Sequence, residues 1–475
     1  MPPGDMPIGE LRRYAHEIAD WIADFLDHIE ERPVLSPTRP GELTARLSPS
    51  PPTHGEDMGQ ILADFYDQIV PASTQWNHPG FHALFANTAS GPGILAEALT
   101  AALNANAMMW RTAPAATEVE DLTLDWLRQM LGLPKEFRGH INDTASVGTL
   151  VALAAARHRC SNGAVREQGV RALEKPVIYC SVEAHSSVDK AAILLGLGSE
   201  SLHKIPTDSA FRMDVDALSA RIADDRAQGC TPVAVVAVVG TTSTTAIDPV
   251  AAIADVCERE GIFLHVDAAY GGAMAVHPDY RYVLDGCHRA DSFVVNPHKW
   301  LFVPMDCSCL YVKDVELLRQ SFSLVPPYLM SPEHGEARDL MDYGPALGRR
   351  FRALKLWMVL RYFGSEGVAE RVAHHVRLAG EFRDWVEAEK EWKLMAPASM
   401  GLVLCRHEPA GMDEVEIAAH NARIMEAVNA NGRSFLSHTL VGGERYALRV
   451  AVGNLRTQRR HLENLWSELK ELTST

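Results

Sequence analysis

Cysteine, positive charge and long apolar runs are all scarce in this sequence, and each shortage excludes a class of protein. Eight cysteines in 475 residues are too few and too scattered for a disulfide framework. Cys307 and Cys309 are the closest pair, but one C-x-C without a second pair does not make a zinc site. All eight are expected as reduced thiols in a cytosolic protein. The 45 lysines and arginines are outnumbered by 61 aspartates and glutamates, giving a formal net charge of −16. That balance argues against a nucleic-acid partner, whose phosphates it would repel. The one dense basic cluster, Arg349, Arg350, Arg352 and Lys355, lies among apolar residues and is too short for a binding tract. No uninterrupted apolar run reaches about 18 residues, so no transmembrane helix is predicted. The first residues do not read as a basic-then-apolar leader. No internal repeat or low-complexity tract appears. His185, His265 and His298 lack i, i+4 pairing, and no H-E-x-x-H set occurs, which disfavours a metal hydrolase.

What is present is the balance of a globular protein, 47% apolar and 22% charged, in a chain too long for one compact core. From Gly9 to Glu31 apolar residues recur at helical spacing (Leu11, Tyr14, Ile18, Trp21, Ile22, Phe25, Leu26, Ile29) with a charged opposite face. This amphipathic helix needs a partner surface, such as a second subunit. A Pro-rich arm, Pro33 to Pro52, comes next. The middle of the chain alternates helical stretches with short β-branched runs: Val177–Cys180, Val233–Val239, Ile262–Val266, Ser292–Val295 and Cys309–Val312. Unbroken apolar strands separated by helices predict an α/β fold with a largely parallel sheet covered on both faces. After about Gly364 the order becomes helix, strand, helix, strand, strand, helix, with strands at Gly401–Cys405 and Tyr446–Val452 and a closing helix over Thr457–Leu472. Three units result: an N-terminal helical and extended segment (1–90), a large α/β domain (91–363) and a small α+β domain (364–475).

Ligands of such sheets bind beyond the carboxyl ends of the strands, and the residues at those ends are chemically pointed. Asp267 comes directly after Ile262–Val266. Asn296, His298 and Lys299 come after Ser292–Val295. Gly240, Thr241 and Thr242 come after Val233–Val239, and His185 lies just beyond Val177–Cys180. An acid, a lysine, hydroxyls and a histidine thus reach one edge. Pyridoxal phosphate (PLP) has these needs: a lysine for a Schiff base, an acid beside the pyridine nitrogen, and a phosphate cradle. Lys299 meets the first and Asp267 the second. The cradle is predicted where Asp143 to Thr149, small and polar, runs into the helical stretch Leu150–His158. There the Ala145 and Ser146 N–H groups would meet the dianion, with Asn296 and Thr242 as further donors.

The stretches "NPHKW" (Asn296–Trp300), "HVDAAYGG" (His265–Gly272), "AHSSVDKAA" (Ala184–Ala192) and "LGRRFRALKLW" (Leu347–Trp357) resemble those of the group II, fold-type-I PLP decarboxylases. The likeness is strongest to the aromatic-L-amino-acid (DOPA, tryptophan, tyrosine) branch and spans nearly the whole chain. The resemblance implies a seven-stranded, mostly parallel sheet, an N-terminal helical arm and a small C-terminal domain. It implies PLP on Lys299, with Asp267 at the ring nitrogen. His185 would stack on the ring and help place the substrate carboxylate, with Ala269 against the other face. Ala145, Ser146, Thr242, Asn296 and His298 would surround the phosphate. Tyr328, before a polar lid-like stretch Ser331–Asp342, would donate the proton after CO2 leaves. An obligate homodimer with shared sites is implied as well.

The substrate pocket is expected from Trp76, Phe81, Leu84, Phe85, Asn87 and Gly348, with Asn106 and Met108 from the neighbouring subunit. The animal DOPA decarboxylases usually have Tyr, Thr and Phe where this chain has Leu84, Asn87 and Met108. Phenylalanine, tyrosine, tryptophan or a mixture stay open as substrates. Aldehyde-forming relatives typically carry Phe at the loop tyrosine or Asn at the stacking histidine; Tyr328 and His185 favour plain decarboxylation. The alternatives are an aromatic aldehyde synthase, a glutamate or aspartate decarboxylase and, remotely, a non-catalytic PLP-binding protein.

Overall fold

The computed structural model describes residues 4–324, 333 and 336–473. The N-terminal amphipathic stretch forms the helix Ile8–Asp27. Part of its apolar face is covered within the chain: Trp21 stacks on Tyr66 at 5.3 Å and meets Phe65 edge-on at 5.2 Å. Ile8 and Leu11, near its start, remain exposed.

The larger sheet has seven strands: β1 Arg138–Asn142, β2 Pro176–Ser181, β3 Leu202–Ile205, β4 Thr231–Val238, β5 Phe263–Asp267, β6 Ser292–Val295 and β7 Ser308–Val312. Their spatial order is β1-β7-β6-β5-β4-β2-β3. The neighbours from β3 to β6 are parallel, and β7 is antiparallel to both β6 and β1, so β7 alone of the seven runs backwards. Strand residues point alternately to the two faces. In β4, Ala234 and Val236 pack toward Leu153 and Ala154, while Val235 and Ala237 pack toward Ile253 and Ala254. The helices Ala145–Cys160 and Val250–Glu260 thus cover opposite faces, which is why β4 reads as one unbroken apolar run.

Five of the seven strands match the predicted runs. The other two, β1 and β3, are the outermost strands and lack such a run. Edge strands need less apolar surface, and β3 alternates buried ends with a more open middle. The sequence of β1, Arg-Gly-His-Ile-Asn, hides it further.

The helix Ala353–Ala388 is bent at Gly364, where φ is +69°, a conformation that suits glycine. It leads to a second, antiparallel sheet of β8 Trp392–Leu394, β9 Leu402–His407, β10 Ser437–Val441 and β11 Arg445–Ala451, in the order β10-β11-β9-β8. The three-residue edge strand β8 is additional to the predicted order. Its Trp392 packs on Trp466 at 5.2 Å, and Phe382 meets the same ring at 5.5 Å. Trp466 belongs to the closing helix Arg459–Thr473.

The basic cluster is used up in ion pairs: Arg349 with Glu120, Arg350 and Lys355 with Glu97, and Arg352 with Asp306. All eight cysteines are unbridged. Among the described residues, no helix is long and apolar enough to cross a membrane.

Candidate active site

Five strands of the large sheet end at a cleft of about 300 Å³. β5 ends on Asp267, which is buried; its Oδ1 accepts from the Ala269 N–H at 3.0 Å, so the turn fixes the carboxylate. β6 runs through Asn296 into the short helix Pro297–Trp300 that carries His298 and Lys299. The Asn296 N–H donates to the Ala269 carbonyl at 3.0 Å, tying the two turns together. From β4 come Gly240 and Thr242, from beyond β2 comes His185, and from beyond β1 come Thr144, Ala145 and Ser146. Placement at the carboxyl ends of parallel strands is what this sheet class allows.

The electrostatics are those of a partly desolvated amine facing an acid. Burial lowers the pKa of Lys299, Asp267 acts against that, and Arg449 adds to it. A buried lysine so shifted is readier to be deprotonated and act as a nucleophile. Its Nζ lies 5.5 Å from the centre of the Phe85 ring. His185 is exposed at the mouth, yet enough protein surrounds its ring to lower its pKa, and Lys299 works the same way. Its Nδ1 accepts from the Ser187 N–H at 3.1 Å. Burial pushes His298 down to about 4; this neutral ring accepts from the Cys307 N–H at 2.9 Å.

Three observations fit a ring with a phosphate. The sixteen-residue helix Ala145–Cys160 starts at the cleft, and the side chain of its N-cap, Thr144, makes no capping bond, so the first N–H groups are available to an anion. The buried Asn296 Oδ1 has no partner among the described residues. Asp267 and Lys299 line the same small cavity.

Of the predicted wall residues, Trp76, Leu84, Phe85 and Asn87 line the cleft. Phe81 does not: it is fully buried behind Trp76, ring centres 4.4 Å apart, in a core with Val34 and Ala83. Its assignment to the wall is corrected; two aromatics five residues apart do not reveal in sequence which stands in front. Asn106, Met108 and Gly348 also lie outside this cleft in their own chain. They gather elsewhere, with Asn106 Oδ1 accepting from the Arg349 N–H at 2.9 Å and Asn106 Nδ2 lying 3.5 Å from the Met108 sulfur. Tyr328 lies outside the described residues.

Two participants were missed in the sequence. Tyr270 lines the cleft and is the middle of a stack, 3.8 Å from Phe85 and 4.7 Å from Trp300. Arg449, on β11, is buried with its pKa lowered by burial to about 10. It donates to the carbonyls of Leu84 at 3.2 Å and Thr242 at 2.8 Å and to Ser437 Oγ at 3.0 Å, so it binds two cleft walls together. A lone arginine inside the otherwise apolar run Ala447–Ala451 was the available signal.

Comparison with known proteins agrees with this geometry. The pyridoxal-dependent decarboxylase conserved domain matches residues 40–408. A phenylacetaldehyde synthase of Arabidopsis thaliana is 38% identical over 98% of this chain and 96% of its own. Tyrosine decarboxylase 2 of Narcissus pseudonarcissus is 37% identical over 98% and 94%. The crystal structure of Oryza sativa TDC with PLP and tryptamine superposes with a TM-score of 0.95 at 36% identity, covering 99% of each chain. With a matching domain, full-length relatives and a lysine and an acid at one strand-end cleft, this chain belongs to the pyridoxal-dependent decarboxylase family and is a PLP-dependent carboxy-lyase.

Proposed function

We propose that the protein decarboxylates aromatic L-amino acids to the corresponding arylalkylamines and CO2. The observation that carries the substrate class is the lining of the cleft: Trp76, Leu84, Phe85, Tyr270 and Met305 supply apolar surface, and Lys299 is the one lysine or arginine among the described lining residues. Lys299 is committed to the cofactor, so a glutamate or aspartate side chain would find no cation there and would lose its hydration without return. An aromatic side chain loses little. The relatives' products and substrates, phenylacetaldehyde, tyrosine and tryptamine, are aromatic by name.

Bound PLP supplies a protonated pyridine ring that takes up the electron pair left when the carboxylate departs. The chain's own residues do the rest. Lys299 would hold the cofactor covalently. The Asp267 carboxylate, fixed by the Ala269 N–H, keeps a proton on the ring nitrogen. Ala145, Ser146, Thr242, Asn296 and His298 receive the phosphate, and Ala269 backs the ring. His185 covers the outer face and orients the substrate carboxylate. Tyr328 returns a proton to Cα, and Asn106, Met108 and Gly348 complete the pocket of a partner subunit.

A panel of L-amino acids incubated with holoenzyme, with amines and CO2 identified, tests this. Amines from phenylalanine, tyrosine or tryptophan are expected; a preference for glutamate or aspartate would defeat the reading. The relationship to a phenylacetaldehyde synthase gives aldehyde formation as the second reading, and ammonia and peroxide released in step with CO2 would favour it over plain decarboxylation.

We further propose a homodimer working in the cytoplasm, where eight unbridged cysteines stay reduced. The helix Gly91–Leu103 exposes Leu95, Leu99 and Leu103 at 62, 51 and 63%. These are one apolar stripe of the kind a subunit interface covers. Sedimentation of the holoenzyme should give twice the 52.2 kDa chain mass, and a monomer at micromolar concentration would remove the shared-site reading.

A further inference from the structure

We propose that Glu120 and Arg349 are positioning residues for the cofactor phosphate: the pair closes the free edge of β1 and so fixes the strand that delivers Thr144, Ala145 and Ser146. The inference rests on the reading of Ala145 and Ser146 as the phosphate cradle.

The strand β1 is outermost in its sheet, and among the described residues it pairs with one strand, β7. Edge strands leave a row of N–H and C=O groups that must find water or cover. Ile141, in this strand, is 1% exposed, so water does not serve it. Its N–H donates to Glu120 Oε1 at 3.0 Å, and its carbonyl accepts from Arg349 Nη2 at 2.6 Å. The same Nη2 donates to Glu120 at 2.9 Å. A carboxylate and a guanidinium therefore do at one residue what a further strand would do. Both side chains are almost fully buried, 2% and 5% exposed.

A buried ion pair recovers more of its desolvation as its other hydrogen bonds are made; Ile141 provides one to each partner, while the buried Arg349 Nη1 has none among the described residues. His140 lies 3.8 Å from Glu120. Burial, with Arg349 and Arg338, holds its pKa well below the usual value, so that ring is neutral and Arg349 is the charged partner of Glu120.

Two links run outward from the pair. Along the chain, Ile141 stands four residues before Ala145, the first residue of the helix whose N-terminus opens into the cleft. Across the fold, the Arg349 N–H donates to Asn106 Oδ1 at 2.9 Å and its carbonyl accepts from the Ala107 N–H at 2.8 Å. Neither Glu120 nor Arg349 is among the described residues lining the cleft. The pair acts through the placement of the first N–H groups of the helix Ala145–Cys160, and an anion at a helix terminus depends steeply on that placement.

The test uses two ligands that differ by the phosphate alone. Full-length apoenzyme is titrated with PLP and with pyridoxal, followed by cofactor absorbance, for the parent, for Glu120→Gln and for the double variant Glu120→Met, Arg349→Met; melting temperatures are recorded alongside. The parent is expected to prefer PLP. The double variant should lose about tenfold of that preference and Glu120→Gln about threefold, the scale of one displaced or weakened hydrogen bond, with pyridoxal affinity unchanged. A parent with no preference for the phosphorylated ligand would remove the cradle reading beneath the inference. A parent that prefers PLP, with variants that keep the full preference or lose both ligands equally, would overturn the inference itself, because general loosening does not distinguish the ligands. If the double variant does not fold, Glu120→Gln, which keeps the shape of the side chain, decides by the same ratio.

Discussion

At the scale of single residues, the proposed roles divide the work, with Lys299 holding the cofactor and Asp267 activating it, so their removal should have separable effects. Lys299→Ala is expected to abolish the visible absorbance of covalently held cofactor together with turnover, since no second lysine or arginine is among the described residues lining the cleft. Asp267→Ala should leave cofactor bound through Lys299 and the phosphate cradle while slowing decarboxylation by about a hundredfold or more, the usual scale for losing a group that acts on the reacting charge. Absorbance spectra and single-turnover rates measure both, and a Lys299→Ala enzyme that kept turning over would sink the assignment. These residues were legible in sequence because each stands just past an apolar strand and the set shares one chemical purpose. Arg449 and Tyr270 were not. A lone arginine on a distant strand and a tyrosine in a small-residue turn acquire their roles only from neighbours such as Leu84, Thr242 and Phe85. Phe81 errs in the opposite direction, since a pocket aromatic and a core aromatic have the same letter.

Elements were legible where burial is symmetric. Strands β4, β5 and β6, covered on both faces, spell their position in Val, Ala, Leu and Phe; β1 and β3 at the sheet edges do not. The start of the helix at Ala145, five residues earlier than the periodic run at Leu150, was obscured because Ala145 to Thr149 are small residues with little apolar contrast. The seam between the two sheets depends on an element-scale fit that no periodicity encodes. A Cβ on Gly401, just before β9, would lie 2.4 Å from the Val452 carbonyl oxygen, 2.8 Å from the Tyr270 hydroxyl and 2.9 Å from the Trp300 ring. The first contact is with backbone, which cannot swing aside, and the others belong to the stack behind the cleft. Gly401→Ala should therefore destabilise the protein by about 1–3 kcal/mol, the usual cost of overpacking, and lower the melting temperature. Gly9→Ala, with nothing within 4 Å of the added carbon, should leave it unchanged or slightly raised. Equal melting temperatures for the two variants would show that the seam is looser than its distances imply.

For the molecule as a whole, the buried histidines set an acid limit whose sign can be worked out. Burial lowers His82, His265 and His298 to about 4 and His375 to about 3. In the unfolded chain each titrates near 6.5. Between those values the unfolded state binds a proton that the folded state refuses, so stability rises with pH in this window and is lost as the solution is acidified below 6.5. Asp248 works the other way. Burial raises it to about 6 from 3.8, so within that range the folded state holds a proton that the unfolded state has released, which offsets one histidine. Four histidines less one carboxyl leave about three protons taken up by these groups on unfolding between pH 6 and 5, or about 4 kcal/mol of stability lost per pH unit. The contacts explain why the folded state resists. His375 Nδ1 accepts from the Trp300 indole N–H at 3.0 Å, and a protonated nitrogen cannot accept. His265 is held between Ser292 Oγ at 2.8 Å and Thr149 Oγ1 at 3.4 Å, and the pull of Asp267 is outweighed by its burial. Urea unfolding of the full-length apoenzyme at pH 6.5, 6.0, 5.5 and 5.0 should show midpoints falling steadily, before the ordinary carboxylates begin to titrate. A midpoint that held constant or rose across that interval would mean that these rings admit a proton in the folded state, and that the core around Trp300 and β5 is wetter than its burial implies.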